Sequence, residues 1–352
     1  MIKLGVVFGG QSTEHSVSIV SGSSVIKNLD DKKYEIHQIY IDKEGNWFEN
    51  FDDIKTNGIY KIGEEPINIK PIDNVIEFLK GLDCVFPVLH GLYGEDGTIQ
   101  GLLELLKIPY VGCKVLSSSI SMDKAYTKVI LSKAEIPQTR YIYLKKEADK
   151  YIYVDDRFEE KEVLEDEIIE LVYNKLNYPV FVKPSNSGSS VGVVKVEKAT
   201  DLIKSIESAF FYDKKVLIEE GIDGREIELA VLGNTKIMVS EPGEILAAGE
   251  FYSFTSKYQN TESKTVILDK LLDEETKEKL KEMAIKVFKA VDGFGLARVD
   301  FFLENKTNKI YLNEINTMPG FTEISMYPKL MESIGITYKE LLDRLIDLAL
   351  QE

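Results

Sequence analysis

The chain has 352 residues, of which 44% are hydrophobic and 29% are charged, proportions typical of a globular protein with two or three domains. Its formal net charge of −16 argues against nucleic acid or an anionic membrane as a partner, because both attract clustered Lys and Arg. Two cysteines, Cys84 and Cys113, are too few for a disulfide framework or a cysteine metal site, and the absence of a leader or a long apolar run predicts a cytoplasmic protein.

The first 120 residues alternate predicted strands and helices, which indicates an α/β domain. Lys3–Phe8 is an apolar run that ends in Gly9-Gly10, a pattern typical of a buried parallel strand entering a tight turn. Ser12 or Thr13 is predicted to cap a helix that continues to about Leu29. The alternation continues with strands over Tyr34–Ile41 and Cys84–Leu89 and a helix over Thr98–Leu106.

Polar residues and glycines follow the ends of these predicted strands. Glu14 comes after the first strand and His90-Gly91 after the strand that begins at Cys84. Ligands of open α/β sheets collect at the carboxyl ends of strands, so this edge is a candidate ligand site. Asp42 raises the possibility of a nicotinamide dinucleotide, but Gly9–Glu14 lacks the G-x-G-x-x-G pattern and disfavours an oxidoreductase.

The region after residue 120 starts with a predicted helix over Met122–Ala134 and a strand over Gln138–Leu144. Residues 145–175 are rich in acidic side chains, which we expect to coat a solvated helix or loop without chemistry of their own. Next, VFVKP and VGVVKV predict a hairpin around the small-residue loop Ser185–Ser190. Amides of such a loop, with Lys183 before it, can hold phosphate oxygens, although a plain turn is the commoner use of this pattern.

A long polar loop, Gly249–Val266, interrupts the remaining elements and has the length of an active-site lid. The elements predicted around it are a helix over Thr200–Phe211, strands over Val216–Glu220 and Glu226–Leu232, a helix over Glu274–Ala290 and two short helices at the end of the chain.

A last predicted hairpin, Ala297–Thr322, carries a pair of acids. Period-2 alternation places Arg298 and Asp300 on one face of its first strand, and antiparallel pairing around the turn at 304–308 brings Asp300 and Glu314 close together. Two carboxylates about 4 Å apart repel by roughly 4 kcal/mol at an effective dielectric near 20. With Asn316 they form a set of oxygen donors suited to Mg²⁺; taken alone, the hairpin is equally consistent with acids that face water.

Eight separated stretches resemble, in order, the D-alanine:D-alanine ligases of the ATP-grasp superfamily. They are FGGQSTEHSVS, VLHGLYGEDGTIQG, SMDKAYTK, FVKPSNSGSSVGV, LIEEGIDGREIE, FYSFTSKY, LARVDFF and NEINTMPGFTEISMYPKL. The resemblance covers nearly the whole chain. It implies an ATP-grasp fold, of mixed α/β and α+β class, with an N-terminal Rossmann-like α/β domain (1–120), a central lobe (121–212) and a C-terminal lobe with the metal site and lid (213–352). It also implies a homodimer.

The resemblance assigns an ATP site and a metal site to named residues. It implies phosphate contacts from Lys124, Lys183 and Lys257, adenine contacts from Glu219 and the backbone of Glu220 and Ile222, and ribose contacts from Glu226. It further implies two Mg²⁺ or Mn²⁺ ions held by Asp300, Glu314 and Asn316, with Glu314 shared between them.

The resemblance also assigns the two amino-acid sites. The first D-alanine would place its ammonium on Glu14, with His90 close by. Its carboxylate would be phosphorylated by ATP and then attacked by the second D-alanine. The remaining implied roles are oxyanion donation by Arg298 and the N–H of Gly320, binding of the second carboxylate by Ser325 and the backbone of Met326, and approach of the lid residue Tyr258 to Ser189 and Glu14.

The function implied is ATP-dependent synthesis of D-alanyl-D-alanine for peptidoglycan precursors. Tyr258 disfavours D-lactate as second substrate, since members of the family that use it replace this tyrosine. Met326 follows Ser325 where D-serine users tend to carry arginine, so D-serine ranks behind D-alanine. A sensor that binds ATP without catalysis is the alternative from another functional class, and intact Glu14, Arg298 and Tyr258 count against it.

Overall fold

The computed structural model describes residues 1–246, 264–268 and 271–351, whose strands form three β-sheets. The first sheet has the strand order β4-β3-β2-β1-β5, with β1 parallel to both β2 and β5. This arrangement confirms the predicted α/β region. Its elements are β1 (Ile2–Gly9), α1 (His15–Asn28), β2 (Tyr34–Ile41), β3 (Trp47–Asn50), α2 (Ile54–Asn57), β4 (Ile69–Pro71), α3 (Val75–Lys80), β5 (Cys84–Pro87), α4 (Thr98–Leu106) and α5 (Val115–Met122).

The start of α1 differs from the prediction. Glu14 occupies the N-cap position, and no side chain there caps the helix. The Ser12 hydroxyl instead accepts from Glu14 N at 3.1 Å and donates to the carbonyl of His90 at 2.6 Å. The predicted capping role of Ser12 or Thr13 is therefore wrong, because the Ser12 hydroxyl links the β1–α1 turn to the turn after β5.

The second sheet has the order β10-β9-β11-β6-β7-β8, and its neighbouring strands pair antiparallel. The predicted hairpin of VFVKP and VGVVKV is confirmed as β9 and β10. Its elements, with the helices of this region, are α6 (Lys124–Lys133), β6 (Tyr141–Glu147), β7 (Lys150–Val154), β8 (Glu160–Val163), α7 (Glu165–Lys175), β9 (Val180–Pro184), β10 (Val194–Val196), a 3₁₀ turn (Ala199–Asp201), α8 (Leu202–Phe210) and β11 (Lys215–Glu220).

Three predictions for this region need correction. The strand predicted from Gln138 begins at Tyr141. The acidic segment 145–175 forms β7 and β8 as well as α7, because it also supplies apolar side chains such as Ile152 and Val163 to the buried side of the sheet. Strand β11, which the predicted boundary at residue 213 placed in the C-terminal lobe, lies between β9 and β6 in the second sheet.

The third sheet has the order β15-β14-β12-β16-β17, with β13 paired to β12. The predicted terminal hairpin is confirmed: Asp300 lies opposite Glu314 and Arg298 opposite Asn316, with an irregularity after Asp300. Most of the predicted lid lies outside the described residues, and its last part belongs to strand β15. The elements are β12 (Gly224–Leu232), β13 (Met238–Val239), β14 (Gly243–Leu246), β15 (Lys264–Ile267), α9 (Glu274–Ala290), β16 (Leu296–Glu304), β17 (Ile310–Asn316), α10 (Met326–Glu332) and α11 (Tyr338–Leu350).

A shared hydrophobic core joins the first and third sheets. Phe8 of β1 and Phe86 of β5 belong to the same buried cluster as Leu232 of β12, Phe321 and Tyr327, so the carboxyl ends of the N-terminal strands face the end of the terminal hairpin. Both cysteines are buried free thiols, as expected. None of the helices in the described ranges combines the length and apolarity that crossing a bilayer requires.

Candidate active site

Three carboxylates form a row across the third sheet. Strand register places Glu228 of β12 opposite Asp300 of β16, and Asp300 opposite Glu314 of β17. Arg298 donates to Asp300 through Nε at 2.8 Å and Nη2 at 2.7 Å, and its Nε lies 3.1 Å from Glu228 Oε2. Burial opposes the charge of Arg298, but Asp300 and Glu228 hold its pKa well above the ordinary value. Within the described residues, Arg298 thus contacts two of the three carboxylates in this row.

The predicted metal ligands form one cluster within this row. Asn316 Nδ2 donates to Asp300 Oδ2 at 3.0 Å and lies 3.5 Å from Glu314 Oε1. Among the residues with assigned positions, no group of three or more His, Cys, Asp or Glu side chains is suited to hold a metal; the set predicted here contains two carboxylates and one amide. Each carboxylate oxygen has two lone pairs, so a cation can bind beside these hydrogen bonds. Oxygen donors of this kind fit Mg²⁺ or Mn²⁺.

The second sheet presents the opposite charge balance around Glu219. Lys183 Nζ donates to Glu219 Oε2 at 3.0 Å, and Lys128 Nζ lies 3.4 Å from Oε1. Thr139 adds a hydrogen bond to Glu219 Oε2 at 3.1 Å. Burial alone would raise the pKa of Glu219, but the two ammonium groups outweigh it and lower the pKa to about 2. Two cations therefore share one carboxylate.

Lys183 connects these two charge clusters. Burial opposes its positive charge, but Glu219 and, from the third sheet, Glu314 and Glu226 raise its pKa. The ammonium group of Lys183 thus lies within electrostatic range of acids on both sheets. A lysine cluster around Glu219 and the carboxylate row of the third sheet therefore lie close together, with Lys183 between them.

The Ser185–Ser190 loop is tied to the start of α6. Lys124 Nζ donates to the carbonyl of Ser187 at 2.6 Å, and the Ser185 hydroxyl donates to Asp123 Oδ1 at 2.6 Å. Asp123 also caps α6 and forms an ion pair with Lys215. The predicted phosphate-binding residue Lys124 is thus brought to the predicted phosphate-binding loop.

Glu14 of the first domain meets this loop. The Ser189 hydroxyl donates to Glu14 Oε1, and Glu14 is 6% exposed. A Cβ atom added at Gly188 would lie 2.5 Å from Glu14 Oε2, and one added at Gly91 would lie 2.7 Å from it. Any larger residue at these two positions would displace the carboxylate, so the glycines are required for this contact.

A second carboxyl group, that of Glu95, lies beside Glu14. Gly91 N donates to Glu95 Oε2 at 3.3 Å, so both carboxylates approach the same glycine. Burial and the charge of Glu14 raise the pKa of Glu95 well above its ordinary value. Glu95 belongs to the recognised stretch VLHGLYGEDGTIQG, but nothing in its local pattern distinguishes it from a surface acid.

His90 is buried, with 4% of its surface exposed, and both ring nitrogens are bonded within the protein. Nδ1 lies 2.9 Å from the carbonyl of Met318 and Nε2 lies 2.9 Å from the Ser21 hydroxyl. A carbonyl can only accept, so Nδ1 carries the proton and Nε2 accepts from Ser21. Burial lowers the pKa of His90, in agreement with a neutral ring.

The predicted second-carboxylate site lies next to Gly320. A Cβ atom added at Gly320 would be 3.3 Å from the Ser325 hydroxyl, which also accepts from Thr322 N at 3.0 Å. Ser325 immediately precedes α10, whose first residue, Met326, is buried. Gly320, Ser325 and Met326 are thus brought together at one turn.

The remaining predicted residues take various positions. The Glu220 carboxylate is bonded by Arg140 at 2.6 and 2.7 Å, and the Glu220 N–H donates to the Arg140 carbonyl at 3.0 Å. Ile222 is half-buried and Glu226 is exposed on the strand that carries Glu228. Lys257 and Tyr258 lie outside the described residues.

Sequence reasoning missed Lys128, Glu228 and Glu95. Lys128 lies one helical turn after Lys124 within the stretch SMDKAYTK, so the two side chains share a face of α6. Glu228 follows Glu226 at period 2 and could have been placed on the same face of β12. For both residues the signal was present in or beside a recognised stretch, whereas their burial could not be read from the sequence.

We predict that Glu219 makes unfolding strongly dependent on acid pH. Its folded pKa, about 2, lies below the ordinary value of 4.5, so its stabilisation is present above pH 4.5 and is lost as the pH falls towards 2. Glu219→Gln should flatten this pH dependence and, because it leaves Lys128 buried without its carboxylate, lower the free energy of unfolding at neutral pH by about 3–5 kcal/mol. Urea unfolding across pH tests this, with Glu170→Gln on the exposed face of α7 as the control; equal curves for the two variants would contradict it.

Comparison with known proteins agrees with this arrangement. The family model for the D-ala D-ala ligase N-terminus matches residues 3–113, and that for the D-ala D-ala ligase C-terminus matches residues 130–347. A D-alanine--D-alanine ligase of Caldicellulosiruptor bescii is 48% identical, covering 100% of this chain and 96% of that protein. One of Clostridium acetobutylicum is also 48% identical, covering 99% and 97%.

Solved structures extend the similarity to the fold. The VanG D-Ala:D-Ser ligase from Enterococcus faecalis is 36% identical with a TM-score of 0.82, covering 99% of each chain. The D-alanine-D-alanine ligase from Coxiella burnetii is 34% identical with a TM-score of 0.79, covering 99% of this chain and 94% of that one. These matches over the whole length show that the chain belongs to the D-alanine--D-alanine ligase family and has its ATP-grasp fold.

Proposed function

We propose that this chain is an ATP-dependent ligase that joins two D-alanines into D-alanyl-D-alanine and releases ADP and phosphate, providing a peptidoglycan precursor. The observation that carries this proposal is the closeness of a lysine cluster to a row of carboxylates. Lys183 with Lys128 offers positive charge to phosphate, and Asp300 with Glu314 offers oxygen ligands to the metal that accompanies a nucleotide. We place the enzyme in the cytoplasm, as a homodimer.

The nucleotide site that we propose lies between the lysine cluster and the carboxylate row. Lys124, Lys183 and the lid residue Lys257 bind the phosphates, supported by the contact of Lys124 with the Ser185–Ser190 loop. The Glu219 carboxylate and the backbone of Glu220 and Ile222 hold the adenine, and Glu226 binds the ribose. The bidentate bond of Arg140 to the Glu220 carboxylate supports a purely backbone role for Glu220.

We propose that Asp300, Glu314 and Asn316 hold two Mg²⁺ or Mn²⁺ ions, with Glu314 shared. Bound there, the ions would offset the charge of the phosphoryl group in transfer. Asp300 is 6% exposed and is bonded by Arg298 and Asn316, which favours a defined position for this ligand.

The reaction proceeds in two steps. The carboxylate of the first D-alanine, whose ammonium is held by Glu14 with His90 nearby, attacks the γ-phosphorus of ATP, giving an acyl phosphate and ADP. The amine of the second D-alanine then attacks the acyl carbon, and the tetrahedral oxyanion collapses to the dipeptide with loss of phosphate and a proton. The residues proposed for this step are Arg298 and the Gly320 N–H as oxyanion donors, Ser325 and the Met326 backbone as the second carboxylate site, and Ser189 with Tyr258 to orient Glu14.

D-Serine as second substrate is a second candidate, because the VanG D-Ala:D-Ser ligase is among the similar structures. The relatives at 48% identity are named for D-alanine alone, and Met326 stands after Ser325. D-Alanine is therefore the substrate we propose at both sites.

A single assay tests the function and the second substrate. We expect the protein, given ATP, Mg²⁺ and equal amounts of D-alanine and D-serine, to release ADP and to form mainly D-alanyl-D-alanine, as measured by mass spectrometry. Predominance of D-alanyl-D-serine would instead identify D-serine as the second substrate. Bound ATP without any ADP release would indicate a sensor instead of a ligase.

We predict that Arg298→Ala slows dipeptide formation by about 10²- to 10³-fold, the usual cost of losing one oxyanion donor, while ATP affinity changes little. Steady-state kinetics and nucleotide titration measure the two effects. Arg225→Ala is the matched control, because Arg225 forms a similar bidentate pair with Glu244 on the same sheet. Turnover equal to that of the control would remove Arg298 from the oxyanion role.

We predict that Glu314→Gln raises the Mg²⁺ concentration needed for half-maximal activity by at least about 10-fold, because it removes one of two charged ligands. Titration with Mn²⁺ followed by electron paramagnetic resonance should show the same loss without a reaction. Glu304→Gln, at the end of β16 where the same hairpin turns, serves as the control. Unchanged Mn²⁺ affinity in Glu314→Gln would exclude Glu314 as a ligand.

A further inference from the structure

Helix α1 carries three buried hydroxyls on one face, which we call the serine ladder: Ser18, Ser21 and Ser24. They are 0%, 0% and 1% exposed, and their spacing of three residues aligns them along the helix. A serine inside a helix commonly bonds to the carbonyl of the preceding turn, as Ser23 does with Val20. Members of the ladder instead bond to other parts of the fold.

Ser18 joins the ends of two strands in the first sheet. Its hydroxyl accepts from Gly9 N at 2.8 Å and donates to the Val88 carbonyl at 2.5 Å. Helix α1 is therefore fixed relative to β1 and β5, which also fixes the positions of Ser21 and Ser24 on the same helix.

Ser21 reaches the turn after β17. Its hydroxyl donates to His90 Nε2 at 2.9 Å and accepts from Phe321 N at 3.3 Å. Nδ1 of His90 in turn donates to the Met318 carbonyl at 2.9 Å. The turn is therefore held on both sides of Gly320.

Ser24 acts through Tyr338, the first residue of α11. The Tyr338 hydroxyl donates to the Phe321 carbonyl at 2.6 Å and lies 3.3 Å from the Ser24 hydroxyl. Its ring also packs against Phe321, with centroids 6.0 Å apart. Both backbone polar groups of Phe321 are thus bonded, one by Ser21 and the other by Tyr338.

We propose that Ser21 and Tyr338 are positioning residues for peptide-bond formation, because they fix the Gly320 N–H through its neighbour Phe321. This inference rests on the proposed function, in which that N–H donates to the oxyanion. An oxyanion donor works only at a defined distance from the developing charge, and a misplacement of about 1 Å can cost about 10²-fold in rate. Neither residue needs to touch a substrate. The effect of Tyr338 should fall on the second step of the reaction and spare acyl phosphate formation. Ser21 also bonds His90 beside the proposed first-substrate site, so its loss should affect both steps.

The test compares Ser21→Ala and Tyr338→Phe with two matched controls. Ser23→Ala removes a hydroxyl from α1 that bonds to Val20 O and Tyr60 N. Tyr34→Phe removes a hydroxyl that bonds to Asp343 of α11. Neither control hydroxyl contacts the turn at Gly320 in the described part of the chain. The wild-type protein must first form dipeptide; if it does not, the proposed function fails and not the positioning role.

Two measurements separate positioning from a general structural effect. Dipeptide turnover should fall about 10-fold or more in each test variant and less than about twofold in the controls. Scrambling of heavy oxygen from the β,γ-bridge of ATP, which reports reversible acyl phosphate formation with the first D-alanine, should continue at the wild-type rate in Tyr338→Phe. Affinity for a phosphinate analogue of the dipeptide, which is tetrahedral at the reacting centre, should fall in parallel with turnover.

Either of two results would overturn the proposal. Oxygen scrambling that falls in proportion to turnover in Tyr338→Phe would assign the effect to the whole fold or to the first step. Turnover and phosphinate affinity equal to those of the controls would show that the turn keeps its position without these bonds. If Ser21→Ala does not fold, Tyr338→Phe decides the question, since it removes one hydroxyl and keeps the ring that packs on Phe321.

Discussion

The ion pairing of Arg298 is the interaction on which the rest of the site depends. Buried charges are costly unless they are paired and hydrogen-bonded, and here one guanidinium serves Glu228 and Asp300 in a row that also contains Glu314. Strand register fixes the three acids, so they cannot relax apart. This row of negative charge favours a bound cation, which a nucleotide with its metal can supply.

The second sheet has an excess of positively charged side chains around Glu219. Lys128 and Lys183 share Glu219, and the depressed pKa of Glu219 shows that the ammonium groups dominate its surroundings. A nucleotide without a metal would bind favourably only at this lysine cluster, and a free cation only at the carboxylate row of the third sheet. A phosphate chain with its own bound cation can neutralise both clusters at once. The geometry therefore favours a metal-nucleotide over either ligand alone.

Sequence patterns predicted structure formed by neighbouring segments and missed strand pairings between distant segments. Alternation and a short turn are enough to predict that Asp300 and Glu314 come close together in one hairpin. Their direct opposition depends on the irregularity between Asp300 and Phe301, which shifts the register by one residue and has no signal in the sequence. The abundant acids of 145–175 concealed the alternation of Lys150–Val154, a strand whose residues Ile152 and Val154 are buried. The insertion of β11 between β9 and β6 is a pairing distant in sequence, and no local signal specifies it.

Burial, like the pairing of distant strands, could not be predicted from the sequence. A lone lysine in a helix is usually solvated, and only the packing of α6 against the second sheet makes Lys128 a partner of Glu219. The same holds for Glu95, whose neighbour Glu14 lies 81 positions earlier in the chain. The family resemblance identified the residues whose roles follow from motifs. It did not identify the buried charged residues that set the protonation of those residues.

The two roles of Arg298, as ion-pair partner and as proposed oxyanion donor, are compatible because of the shape of the guanidinium. It has five N–H donors in a planar fork, and the contacts to Asp300 and Glu228 engage Nε and Nη2. Donors on the other side of the fork can face a substrate oxygen while the acids hold the plane in place. The acids therefore orient the group that, in the proposed mechanism, stabilises the transition state. Removing Glu228, which is not a proposed metal ligand, should disturb catalysis through Arg298 alone.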